Sequence, residues 1–108
     1  MAYKCKITVL RKECYEDLQE QYLSNPKAGP CPCFEVGQEI IVDKAAYKTM
    51  CDGKFCIDAW DSISKYVYSA IQGGNLMWTW CDEKTLISCC NDGTRPVVFK
   101  LERIEEDD

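Results

Sequence analysis

Cysteine is the residue through which this chain can do chemistry. It has nine of them, at Cys5, Cys14, Cys31, Cys33, Cys51, Cys56, Cys81, Cys89 and Cys90, and no histidine. A chain without an imidazole has no Ser-His-Asp or Cys-His catalysis and no zinc site that needs a histidine nitrogen. No two cysteines stand three apart, so C-x-x-C is absent. That removes the thioredoxin motif, zinc knuckles and ribbons, and the bacterial ferredoxin run. What remains is C-x-C at Cys31 and Cys33, C-x4-C at Cys51 and Cys56, and the adjacent pair Cys89-Cys90. Any metal site must be assembled from distant segments. Neither G-x-x-x-x-G-K-[ST] nor G-x-G-x-x-G occurs, so no motif points to a nucleotide phosphate.

Compartment decides what thiols do. Residues 1–6 contain no long apolar stretch and do not read as a secretory signal, so a cytoplasmic chain with reduced thiols is expected. An odd cysteine count would also leave one thiol unpaired in a full disulfide framework. No apolar run approaches the roughly 18 residues of a membrane span, and no membrane association is expected. The net charge is −5, but Glu105, Glu106, Asp107 and Asp108 carry four of the negatives. The acidity is thus expected in a solvated tail, residues 105–108, with little field left to steer partners. Lys4, Lys6, Arg11 and Lys12 read as an exposed strand face. They are too few for a nucleic-acid footprint, and no nucleic-acid partner is expected.

The elements that must position the cysteines follow from periodicity. Residues 3–10 alternate, with Tyr3, Cys5, Ile7 and Val9 on one side, as in a half-buried strand, and Cys5 there reads as a small core residue. Residues 14–23 read as a short helix with Tyr15, Leu18 and Tyr22 on one face. Pro30 and Pro32 stiffen the loop that carries Cys31 and Cys33, and an extended backbone sends both sulfurs to one side. Residues 38–42 read as a second strand and 44–54 as irregular. Residues 56–71 form the clearest helix, with Cys56, Ala59, Trp60, Ile63, Val67, Ala70 and Ile71 in one stripe. Cys56 in its first turn is either core filling or a thiolate favoured by the helix N-terminus. Leu76 to Cys81 is an apolar, tryptophan-rich segment that covers the core, lines a pocket or makes a dimer contact. Residues 85–90 and 96–104 read as two more strands around the Asn91-Asp92-Gly93 turn, where Arg95 is expected to contact Asp92. The order β-α-β-α-β-β predicts one small α+β domain over residues 1–104. It has a mostly antiparallel sheet of about four strands and two helices packed on it.

Three blocks of residues are together distinctive. They are Gly29-Pro30-Cys31-Pro32 with Phe34 and Gly37-Gln38-Glu39; Cys56 with Ala59-Trp60, Lys65-Tyr66-Val67 and Gly73-Gly74-Asn75; and Cys89-Cys90-Asn91-Asp92-Gly93 with Arg95-Pro96-Val97 and Phe99-Lys100-Leu101-Glu102-Arg103. The pattern resembles a family of small cysteine-containing proteins of anaerobic bacteria and archaea, which has no assigned activity. The resemblance covers residues 3–104 and implies that Cys31, Cys56, Cys89 and Cys90 are the family's cysteines. Cys5, Cys14, Cys33, Cys51 and Cys81 are then additions in this chain. Four such cysteines without histidine suit a tetrathiolate site for zinc or an iron–sulfur cluster.

Three functions fit these residues. The first is a thiolate site at Cys31, Cys56, Cys89 and Cys90 that binds a metal or iron–sulfur cluster for electron transfer or sensing. Neighbouring side chains on a regular strand face opposite ways, so Cys89 and Cys90 share one centre only if the backbone turns between them. Otherwise one of the pair is core, and Cys33 is the reserve ligand. The second is metal-free thiol redox chemistry with a redox protein partner. It would use a strained Cys89–Cys90 disulfide, with Cys31 or Cys56 as exchange partner and Asp58, Asp61 or Asp92 moving protons. The third is a binding or assembly module whose cysteines are core residues, with a possible homodimer through Trp78–Trp80. Sequence alone does not assign an enzymatic reaction.

Overall fold

The computed structural model of the chain describes residues 2–76 and 80–106. Strand β1 (Ala2–Lys12) buries Cys5, Ile7 and Val9 at every second position. It pairs antiparallel on one side with β2 (Glu39–Val42) and on the other with β4 (Val97–Glu106), which in turn pairs with β3 (Thr85–Cys89). The result is one four-stranded sheet in the order β2-β1-β4-β3. Helices α1 (Glu16–Tyr22), α2 (Lys44–Lys48) and α3 (Ile57–Ile71) complete the chain. The domain is therefore α+β, as its patterning indicates.

The core forms where α3 lies against β1, β4 and β3. Ala59, Ile63, Val67, Ala70 and Ile71 of α3 are buried, as are Leu86, Val97, Phe99 and Leu101 from the sheet. This is the apolar stripe of a 3.6-residue period meeting the period-2 face of a sheet. Cys5 has no exposure, and burial pushes its thiol up to about 12. It is a small core residue, as expected.

Several local expectations are corrected. Residues 44–48 form α2 where irregular chain was expected, because the Asp43 carboxylate accepts the Ala46 N–H at 2.8 Å and caps the turn. Cys56 is the N-cap of α3 and not a residue of its first turn. Of the residues expected to share one face of the first helix, Tyr15 is the N-cap of α1 and, like Tyr22, is exposed, and the buried residue of α1 is Gln19. Strand β4 runs on to pair Glu105 with Tyr3 and Glu106 with Ala2. Two of the four acidic residues assigned to a tail thus belong to the ladder. Trp80 is 85% exposed, whereas Trp78 of the suggested dimer contact lies outside the described residues.

The C-terminal end of α3 is locked to the sheet. Arg103 donates from Nη1 to the carbonyls of Gly73 and Gly74, 2.7 Å each, and its guanidinium lies over the Tyr3 ring. Gly73 has φ +81°, and an added Cβ would stand 2.8 Å from Tyr3 Cε2. We expect Gly73→Ala to cost at least about 1–2 kcal/mol from the left-handed backbone alone. Urea denaturation measures it, and adding Tyr3→Ala should relieve only the steric part.

Candidate functional site

The site is built by two phenylalanines. Phe34 and Phe55 are both 5% exposed, and their rings meet at a centroid distance of 5.2 Å. Phe34 also meets Phe99 of β4 edge-on at 5.2 Å, and Phe55 meets Trp60 of α3 at 5.3 Å. Such tilted and edge-on pairs are favourable beyond the area they bury. Cys33 immediately precedes Phe34, and Cys56 immediately follows Phe55. Burying the two rings against one another therefore delivers the two cysteines to one place.

The three thiols are gathered at that end, with Cys33 near enough to Cys31 and Cys56 for both sulfurs to act on its titration. The Cys33 N–H also donates to Cys31 Sγ at 3.4 Å. Partial desolvation, and then the neighbouring Cys31 and Cys56 sulfurs, push the Cys33 thiol above its ordinary value. Cys31 and Cys56 are half-buried against the core, whereas Cys33 is exposed. One of three clustered thiols thus opens to solvent.

Each approach to the cluster is fixed. Lys12, at the end of β1, donates from Nζ to the carbonyls of Cys31 and Phe34, 2.9 Å each. Gln19 of α1 is buried and accepts the Gly29 N–H at 3.0 Å. Its amide donates to the Gly29 carbonyl at 3.0 Å and to Thr94 Oγ1 at 3.4 Å. Cys14 Sγ adds a contact to Gln19 Oε1 at 3.6 Å. On the other approach, Met50, Cys51 and Asp52 hold φ values of 53°, 56° and 59° before Gly53 at 73°. A left-handed run of non-glycine residues stores strain. It reverses the chain after α2 and feeds Phe55 and Cys56 into α3. Cys51 itself stays outside the cluster; burial, then the charges of Asp52 and Asp43, push its thiol up.

Cys89 and Cys90 are placed differently. Cys89 is exposed at the end of β3, and its carbonyl accepts from Ser62 Oγ at 2.8 Å. Cys90 is buried; its N–H donates to the Val97 carbonyl at 3.1 Å and its Sγ accepts the Val97 N–H at 3.3 Å. The two side chains lie in opposite environments, the strand geometry that makes one of them core. Of the four cysteines expected as ligands, Cys31 and Cys56 lie near Cys33, while Cys89 ends β3 and Cys90 follows it. Among the described residues, no group of three or more Cys, Asp or Glu side chains is arranged to hold a metal ion.

Of the three acidic residues named for proton transfer, Asp61 and Asp92 have structural partners for their carboxylates. Asp61 Oδ2 accepts from Asn91 at 3.2 Å, and the Asp58 carbonyl accepts from the same amide at 3.4 Å. Asp92 Oδ1 accepts the N–H groups of Thr94 and Arg95, and Oδ2 pairs with Arg95 Nε at 3.3 Å. The Asp92–Arg95 contact is the one the turn sequence implied. The sequence reading missed Gln19 and Lys12. Glutamine carries no chemical signature of burial, and Lys12 looks like one more surface lysine.

The chain matches no protein-family model, no curated protein and no solved structure. Among the described residues, no helix is long and apolar enough to cross a membrane.

Two outcomes are expected here. Gln19→Leu leaves the Gly29 N–H and carbonyl without their buried partner and should cost about 1–3 kcal/mol in urea denaturation. Partial burial raises the Asp92 carboxyl, but the bonds from Thr94 and Arg95 outweigh it and hold it below the ordinary value. Its folded value lies under its unfolded value, so its stabilisation is present above about pH 4 and fades as pH falls further. Asp92→Asn should therefore be less stable than the parent at pH 7, with the gap closing as melting curves are taken below about pH 3.

Proposed function

We propose that the chain is a thiol–disulfide redox protein whose working sulfurs are Cys31, Cys33 and Cys56. The observation that carries this reading is the gathering of three cysteines where Phe34 packs on Phe55, Cys33 exposed and Cys31 and Cys56 half-buried, with the Cys33 N–H bonded to Cys31 Sγ. A disulfide needs its two sulfurs to meet, and this cluster offers Cys33 two partners. Cys33, being exposed, is the sulfur a substrate disulfide reaches first. Because its thiol is raised above the ordinary value, little of it is thiolate near neutral pH and exchange speeds up as pH rises. That thiolate attacks one substrate sulfur, forming a mixed disulfide and releasing a substrate thiolate, which takes up the proton Cys33 gave up. The thiolate of Cys56 or Cys31 then attacks the Cys33 sulfur and releases the second substrate thiol. The substrate disulfide is reduced by two electrons, and the Cys33 dithiol becomes an internal disulfide. A dithiol reductant, such as a redox partner protein, returns it to the start.

The alternative is a thiolate metal centre, zinc or iron–sulfur. Soft sulfur donors without histidine favour it. The donors in place fit only in part. Cys31, Cys33 and Cys56 would supply three thiolates, but Cys90 is engaged with Val97 in the core and Cys89 is exposed. The vicinal Cys89–Cys90 disulfide is less favoured than the cluster, because the Cys90–Val97 bonds would have to break for it to close.

The test begins with anaerobic purification, an absorption spectrum and metal analysis per chain. The reduced protein is then equilibrated with oxidised glutathione and peptide-mapped. We expect a colourless, metal-free protein that forms an internal disulfide between Cys33 and Cys56 or Cys31, reversible with dithiothreitol and lost in Cys33→Ser. Stoichiometric iron with visible charge-transfer bands, or stoichiometric zinc, would establish the metal reading instead. A protein whose Cys33 never enters a disulfide would overturn the redox reading.

A further inference from the structure

Lys12 is set apart from the other lysines of β1 by a register shift. The ladder with β4 runs regularly to Val9↔Phe99, then breaks, and resumes as Arg11↔Val98 and Lys12↔Val97. Phe99 and Val97 are both buried on the face that carries α3. Thr8 pairs with Lys100 on the opposite face. By simple alternation Lys12 would share that open face with Lys4, Lys6 and Thr8. One extra residue, Leu10, reverses the alternation and sends Lys12 to the helix side. Bulges that re-aim a single side chain are common beside functional sites. Here the re-aimed side chain spans to the cysteine loop and holds both ends of residues 31–34 through the carbonyls of Cys31 and Phe34.

We propose that Lys12, turned inward by the Leu10 bulge, is the positioning residue of the thiol cluster. It fixes the backbone on both sides of Cys33, so that Cys33 stands beside Cys31 and Cys56 before any substrate arrives. An ammonium moved partly out of water is costly unless hydrogen-bonded, so the two carbonyls and the lysine hold one another in place. The loop has few other ties there: the Cys33 N–H bonds only within the loop, to Cys31 Sγ. Lys12 acts through the loop and touches no reacting sulfur in this role.

The inference builds on the redox reading for one of its two readouts and is independent of it for the other. The first readout is the equilibrium constant for the internal disulfide of Cys33 against glutathione, followed by peptide mapping. The second is binding of phenylarsine oxide, a probe that bridges two adjacent thiols and needs no redox turnover. We expect Lys12→Met to lower the disulfide equilibrium constant by about tenfold and to weaken the arsenical to a similar extent, as pre-positioning is lost. Lys12→Arg, which keeps a cationic donor, should recover most of both losses. Circular dichroism should show all variants folded; if Lys12→Met does not fold, Lys12→Gln, with a shorter neutral donor, takes its place. A folded Lys12→Met or Lys12→Gln protein with parental values in both readouts would overturn the proposal. If the parent forms no internal disulfide but arsenical binding still falls in Lys12→Met, the redox reading fails and the positioning role stands.

Discussion

The contact between Phe34 and Phe55 is the constraint on which the cysteine-bearing end of this domain depends. The two residues come from separate segments, one leading out of the proline-stiffened loop and the other out of the left-handed turn after α2. Each ring is driven inward by its own burial, and both rest on Phe99 in the central part of the sheet. Because each is covalently next to a cysteine, the aromatic packing brings Cys33 and Cys56 to the same end of the domain. Apolar packing thus gathers cysteines here that no C-x-x-C turn brings together.

The remaining features support that contact from three directions. Lys12 holds the loop from the strand side and Gln19 holds it from α1, both through backbone carbonyls or N–H groups. The β3–β4 connection closes the same end. Asn91 bonds to α3, Ser62 of α3 bonds to Cys89, and Asp92 ties its own turn to Arg95. The far end of α3 is fastened separately by Arg103. The helix that carries Cys56 as its N-cap is therefore held at both ends, while Cys33 is left open to solvent. The strained residues 50–52 sit where the chain must reverse sharply between α2 and Phe55, a placement consistent with strain tolerated for the sake of a site.

Much of this was legible in the residues, for identifiable reasons. Alternation in β1 and β4 and the stripe on α3 read directly as elements, because burial on one face imposes their periods. Cys5 and the Asp92–Arg95 turn were also legible, since each follows from its immediate neighbours. Gln19 was not, because its burial depends on partners outside its own helix, Gly29 and Thr94. Lys12 was not, because a one-residue bulge inverts the strand pattern and no local signal marks it. The choice among cysteines was only partly legible. The alternating geometry of a strand already indicated that Cys89 and Cys90 share a centre only if the backbone turns between them, with Cys33 as the reserve otherwise. That Cys31 and Cys33 lie together was legible in their two-residue spacing, whereas the approach of Cys56 follows from long-range ring packing that spacing along the chain does not encode.

The most direct measurement is the cysteine ¹³Cβ chemical shifts of the whole protein, reduced and then oxidised by a limiting amount of a small disulfide. If the clustered thiols are the working centre, the ¹³Cβ signal of Cys33 moves into the disulfide range together with that of Cys56 or Cys31. Those of Cys5 and Cys90 stay where they were. Movement of the Cys89 and Cys90 signals as a pair, with Cys31, Cys33 and Cys56 unchanged, would contradict the account.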